Sequence, residues 1–296
     1  MIKIRLLGVF LLAGFSAVSQ NIHVGLFGGL SAYQGDLTEK ILPKKVTNGA
    51  IGVTVNYEFA PQIMFRGGFT YTIVGGADRF SKDNTLRARN LAFETKITEF
   101  SLLGEYYFFN LNEQKFSPYL FGGLAVFHFN PYAFNGSTQK IFLKPLSTEG
   151  EGLSAYPDRK PYALTQLALP FGGGVKYALT DNLRLGLELG MRKLFTDYLD
   201  DLSTSYVDPN DLLAAKGQLA VDMSYRGDEL PGGNPNYPSK GAQRGGSTRK
   251  DWYYFLGLHL TYRIGSGDNN TRSGVFGGGL FSGKKKKSYG CPAVRQ

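Results

Sequence analysis

The sequence predicts an all-β protein: an eight-stranded antiparallel transmembrane β-barrel with long extracellular loops and short periplasmic turns. Three observations predict it, namely the composition, repeated alternation of apolar and polar residues, and connections that are long and short in turn. The 296 residues include 39 Gly, 18 Tyr and 22 Phe, an excess that suits strands and tight turns better than helices. The single Cys excludes an intramolecular disulfide framework and a four-Cys zinc site.

The chain opens on an export signal. Lys3 and Arg5 precede an apolar run from Leu6 to Phe15, and the small residues Ala17 and Ser19 suit a signal peptidase site. Residues 1–19 are therefore expected to be removed, since the run is too short for the ~20 residues a membrane helix needs.

Period-two alternation then puts successive side chains on opposite faces. In 51–59, Ile51, Val53, Val55, Tyr57 and Phe59 oppose Gly52, Thr54, Asn56 and Glu58. In 65–73, Phe65, Phe69, Tyr71 and Ile73 oppose Arg66, Thr70 and Thr72. Leu183, Leu185, Leu187, Leu189 and Met191 oppose Arg184, Gly186, Glu188 and Gly190, and Leu256, Leu258, Leu260, Tyr262 and Ile264 oppose Gly257, His259, Thr261 and Arg263. Weaker versions at 22–30, 97–108, 118–129 and 164–178 bring the strand count to eight.

A soluble sandwich would alternate as well, so the connections decide. Ala60-Pro61-Gln62, the stretch around Asn110-Leu111-Asn112-Glu113, and Thr180-Asp181-Asn182 are short, whereas those near 31–50, 75–95, 131–163 and 193–250 are long. That rhythm fits an even-stranded outer-membrane barrel spanning 20–264. Closure removes the edges that hydrocarbon would not tolerate. Tyr119, Tyr177 and Tyr262 are expected in aromatic girdles.

Eight strands leave room only for side chains or one small ligand. The inward parity supplies Glu58, Arg66, Glu99, Glu105, Lys176, Arg184, Glu188 and Arg263, which predicts an ion-paired plug rather than a pore. His23, His128 and His259 are expected to face inward too, as polar filling rather than metal ligands. His23 and His259 fall on neighbouring strands.

Other candidate chemistry is thin. Asp197, Asp200, Asp201 and Asp208 cluster in the longest loop, but the spacing is not that of a calcium-binding EF-hand, and loop hydrogen bonding or partner contact is the better reading. Gly278, Gly283, Lys284 and Lys285 resemble a phosphate loop without its final Ser or Thr. There is no G-x-S-x-G elbow, so no catalytic set, cofactor or metal site is assigned. Of the net charge of +9, residues 1–19 carry +2 and residues 265–296 carry +5, which leaves no basic stripe for nucleic acid. The tail 265–296, with Lys284, Lys285, Lys286, Lys287 and Cys291, reads as a Gly/Ser/Lys-rich, disordered periplasmic extension.

Several blocks resemble the PorG family, an outer-membrane barrel component of the type IX secretion system. They include SAYQGDL (31–37), RARNL (87–91), YLFGGLAVFHFNP (119–131), STEGEG (147–152), YPDRKPY (156–162) and LPFGGGVKYAL (169–179). KLFTDYLDDLSTSYVDP (193–209), Gln243-Arg244-Gly245 and DWYYF (251–255) complete the series. The resemblance implies a non-enzymatic part of a protein secretion and gliding machine. Its partners would be a periplasmic ring lipoprotein and that lipoprotein's companion (PorK and PorN, or GldK and GldN), with outer-membrane lipids around the barrel. Tyr156, Asp158, Arg159, Asp197, Tyr198, Asp200, Asp201 and Lys284–Lys287 are candidate partner contacts. An OmpX/OmpA-like structural or adhesin barrel and an outer-membrane lipid-modifying enzyme are the competing readings.

Overall fold

The computed structural model describes residues 22–38, 46–246, 248 and 250–264; the expected export signal and the 265–296 tail lie outside them. Eight long strands form the barrel: β1 (Ile22–Gln34), β2 (Asn48–Ala60), β3 (Ile63–Ala77), β4 (Ala92–Tyr107), β5 (Phe116–His128), β8 (Thr165–Ala178), β9 (Leu183–Leu194) and β10 (Trp252–Ile264). A short hairpin, β6 (Pro131–Phe134) and β7 (Lys140–Phe142), rises from the end of β5. Every pairing is antiparallel. The order runs β3-β2-β1-β10-β9-β8-β5-β4, and β3 pairs with β4 to close the ring. The first and last strands are joined along their length, from Ile22 opposite Ile264 to Gln34 opposite Trp252. Ladder hydrogen bonds thus continue around the whole circumference, with no open edge among the barrel strands.

Outward residues are the apolar parity. Leu102 is 74% exposed, Ile51 66% and Phe59 64%. Among the described residues no helix is long and apolar enough to cross a membrane, so the spanning surface is the sheet. This is the architecture of an outer-membrane β-barrel. An aromatic girdle marks the short-turn end, where Phe59 meets Phe65 and Tyr106 meets Phe108 edge-on, and Tyr177 and Tyr262 stay exposed.

The strands outrun the bilayer. The 16 residues of β4, at ~3.3 Å each and a tilt of ~40°, reach about 40 Å along the axis, against an apolar band of ~25 Å. The outward face of β4 follows suit: Tyr106, Leu102 and Phe100 are succeeded by Lys96 and Glu94. The barrel therefore stands proud of hydrocarbon on its long-loop side, and there the loops fold into a cap. The cap contains α1 (Asn84–Arg89), α2 (Pro209–Lys216) and α3 (Gln218–Ser224). Asp83 caps α1 through the Thr85 amide, and Asp208 caps α2 ahead of Pro209. Its own small core joins Leu153, Tyr156, Val207, Leu212 and Ala220.

Two sequence expectations are corrected on β5. His128 points outward and Tyr119 is buried in the lumen, 1% exposed, rather than in a girdle. The inward parity of this strand is itself aromatic, with Tyr119, Phe121 and Phe127, so polarity does not distinguish its faces.

Leu102→Arg puts a cation at the centre of the outward band. It is expected to lower stability by ~2–4 kcal/mol in lipid vesicles, read as a shift in the urea midpoint.

Candidate functional site

The lumen is filled in layers. At the short-turn end Glu58 is the hub: its carboxylate lies 3.1 Å from His23 Nε2, 3.2 Å from Arg184 Nη2 and 2.9 Å from Arg263 Nη2. The turn between β4 and β5 dips Asn112 into the same layer. Its amide donates to Glu58 Oε1 at 2.7 Å, while its carbonyl accepts from Arg184 at 2.9 Å and Arg263 at 2.7 Å.

The central layer is built on Arg66. Its guanidinium meets Glu105 at 2.9 Å and Glu188 at 2.6 Å and lies over the Phe121 ring. Lys176 Nζ is 3.3 Å from Glu105 and donates to the Tyr107 hydroxyl at 2.5 Å, and Tyr107 donates on to Glu105. Tyr119 donates to Glu188 at 2.6 Å. His259 sits between Thr54 (2.9 Å) and Arg66 (3.2 Å). Gly25 makes this possible, because a Cβ there would fall 2.7 Å from His259 Nε2. His23 and His259, although on neighbouring strands, belong to different layers.

Higher up, Arg192 reaches Glu99 at 3.2 and 3.3 Å, and Tyr253 donates to Glu99 at 2.6 Å. Gly190 clears space for Arg192, since a Cβ would lie 2.1 Å from its Nη1. Above this the filling turns apolar: Tyr33, Phe93, Ile97, Phe127, Leu194 and Phe255 belong to one buried cluster. Five lumen cations thus face four carboxylates, and the layers block the axis along its length.

All eight residues assigned to the lumen from sequence lie in these layers. Arg192 was legible too, sharing the parity of Arg184 and Glu188. Asn112 was not, because a turn carries no periodicity.

The cap buries a second set of charges. Arg244 donates to the Asp201 carbonyl at 2.6 Å and the Ser224 carbonyl at 3.1 Å, and pairs with Glu149 at 3.1 Å. Glu149 also accepts from the backbone amides of Ser203 (3.1 Å) and Thr204 (2.8 Å). Asp201 accepts from Thr148 at 2.5 Å and Tyr162 at 2.6 Å. Arg89 grips Asp78 with two bonds of 2.8 Å and donates to the Arg244 carbonyl. Tyr33, from the barrel, donates to Asp200 and lies 3.2 Å from Asp251, which ties the cap to β1.

The candidate partner contacts fall mainly inside the cap. Asp197, Asp200, Asp201 and Tyr156 are buried and Tyr198 is half-buried. Arg159 is half-buried too, bonded to the Glu149 and Ser205 carbonyls at 2.5 and 2.7 Å, and only Asp158 of the set stands exposed. Their polarity serves loop-to-loop hydrogen bonding inside the cap. Lys284–Lys287 lie outside the described residues. Among the described residues no group of three His, Cys, Asp or Glu side chains is arranged to hold a metal ion. Glu149, Arg244, Asp251 and Asp78 went unassigned from sequence, although the first three fall within the quoted blocks.

Burial raises the cap carboxyls. Asp200 is held well above the usual range by desolvation and then by Asp251, and Asp251 by desolvation and then by Asp197. Glu151 is pushed up to about 8 by desolvation, Asp201 and Glu149. Desolvation is also the chief cause that lifts Asp197 and Asp201 to about 6.

A family model described as a domain of unknown function (DUF6089) matches residues 3–144, just under half of the chain. No curated protein matches the sequence. Three solved outer-membrane structures are similar. Neisserial surface protein A is 10% identical with a TM-score of 0.42, over 82% of this chain and 97% of that one. OprG of Pseudomonas aeruginosa is 11% identical with a TM-score of 0.39, over 83% and 98%. A major outer membrane protein of Thermus thermophilus is 14% identical with a TM-score of 0.38, over 82% and 99%.

Arg66→Met strands Glu105 and Glu188 in the lumen and is expected to cost ~3–5 kcal/mol, measured by urea unfolding of the reconstituted barrel. The cap responds to pH with a definite sign. Its raised acids bind protons in the folded state that the unfolded chain releases, so cap stability falls as pH rises from about 4 to the Glu151 value of about 8. Limited proteolysis within 195–251 should accelerate across that window, and Glu151→Gln should flatten its upper part.

Proposed function

We propose that this outer-membrane barrel is a non-enzymatic component of the type IX protein secretion and gliding machinery and works by contact rather than by conduction. The observation that carries the reading is the filled lumen. With Glu58, Arg66 and Glu99 each locked into ion pairs across the axis, cargo has no path through these eight strands, and any role in export must come from the surfaces. The resemblance of the loop and strand blocks supplies the machine. It points to the periplasmic ring lipoprotein and its companion (PorK and PorN or GldK and GldN types) as partners at the short-turn end. Both termini would lie on that side, because Ile22 and Ile264 are paired there.

A second reading, an adhesin-type barrel, draws on the cap, whose buried Arg244 and Arg89 networks hold the long loops in one shape. No cofactor, nucleic acid or small-molecule substrate enters either reading.

The test is a gentle-detergent purification of the tagged native protein from its own cells. The secretion reading expects the ring lipoprotein and its companion to co-purify, and expects a deletion strain to stop exporting proteins that carry the C-terminal secretion signal. A barrel that emerges alone, from cells whose export is normal without it, overturns the reading.

A further inference from the structure

At the long-loop end a half-open cavity of about 1210 Å³ lies between the cap and the upper wall of the barrel. That exceeds the ~300–1,000 Å³ of ordinary small-ligand pockets, so its size suits a segment of an oligomer. Tyr206, Tyr225, Trp252 and Tyr254 bring aromatic rings to its walls, and Asp36 and Asp83 bring carboxylates. The Tyr206 hydroxyl is buried with no hydrogen-bond partner, although the residue lines the cavity and is only 3% exposed.

The charges narrow the ligand. Arg89 is saturated by Asp78, and Arg244 by Glu149 and two carbonyls, so neither guanidinium is available to a phosphate or sulfate, and the third lining cation, Lys250, is outnumbered by the Asp36 and Asp83 carboxylates. Asp36 spends one oxygen on the Gly246 amide at 2.7 Å, and Asn234 and Gln243 add amides to the wall. Strand addition by an extended peptide would need an open strand edge, and the two strands that wall the cavity are paired with each other up to Gln34 and Trp252. The half-buried Trp252 ring for stacking on a C–H face, edged by Tyr206, Tyr225 and Tyr254, with carboxylates and amides for vicinal hydroxyls, matches an uncharged saccharide. We propose that this cavity is a binding site for a neutral oligosaccharide. The site is independent of the secretion reading, because it sits at the opposite end of the barrel from the proposed ring contact.

The chain carries its own reporter, since Trp252 is the single tryptophan and lines the cavity. The full-length protein in phospholipid nanodiscs, free of sugar detergents, is titrated with maltohexaose, cellohexaose, mannohexaose and xylohexaose while Trp252 emission is followed. At least one is expected to give a saturable change, with Kd weakened at least tenfold by Asp36→Asn and by Tyr225→Ala. Retention of the heat-modifiable band shows that each variant is folded, and calorimetry on Trp252→Phe checks that binding outlives the loss of signal. The proposal is overturned if none of the four sugars gives a saturable change up to millimolar concentration. It is equally overturned if a random-sequence decapeptide library does so in their place, or if both folded variants bind with unchanged Kd.

Discussion

Closing eight strands into a ring leaves a lumen only as wide as the side chains that point into it, and most of this structure follows from that constraint. Hydrocarbon forbids an open edge, so β1 must meet β10 and β3 must meet β4. Within the hydrocarbon band the outward parity is then committed to lipid, and the polarity the strands carry there is driven inward. A charge there has no water to fall back on and is tolerated only against an opposite charge. Arg66 between Glu105 and Glu188, and Glu58 among His23, Arg184 and Arg263, are the solutions found. Small residues such as Gly25 and Gly190 matter as much as the charges, because they give the long side chains somewhere to lie.

The same rule operates above the membrane with a different outcome. The cap buries more carboxylate than cation, so Arg244 and Arg89 must each serve several partners, and Asp200 and Asp251 share the Tyr33 hydroxyl at the seam with the barrel. In the lumen every carboxylate has a cation within hydrogen-bonding reach, which keeps the plug fixed. In the cap the surplus of acids couples its integrity to protonation, with Glu151 and Asp201 lifted toward neutral pH. Rigid barrel and pH-responsive cap are thus two results of one electrostatic requirement.

The two ends consequently divide the surfaces that can act. The short-turn end offers tight turns, an aromatic girdle and the paired ends of β1 and β10. The long-loop end offers a shaped, ring-lined cavity on a prefolded scaffold. A barrel of this size serves by what it presents, and its fold alone does not fix which end is used.

Strand number, strand parity and the alternation of turn lengths were legible in the sequence, because a barrel in lipid imposes period two wherever it spans. Ile51, Val53 and Val55 facing out, and Arg66, Glu105 and Glu188 facing in, follow from that period alone. The period misled at β5, where Tyr119 and Phe121 face inward opposite Leu120 and Leu124, so that both faces are apolar, and His128 fell on the outward side. It was silent in the loops, where the aspartates of 197–201 could serve loop hydrogen bonding or a partner and lie in the cap's interior. Only the tertiary structure decided that, because the partners of Asp200, Asp201 and Glu149 come from segments such as Tyr33, Tyr162 and Arg244. Contacts between such distant residues leave no local periodicity to read; they arise when the closed barrel gathers its long loops over one end.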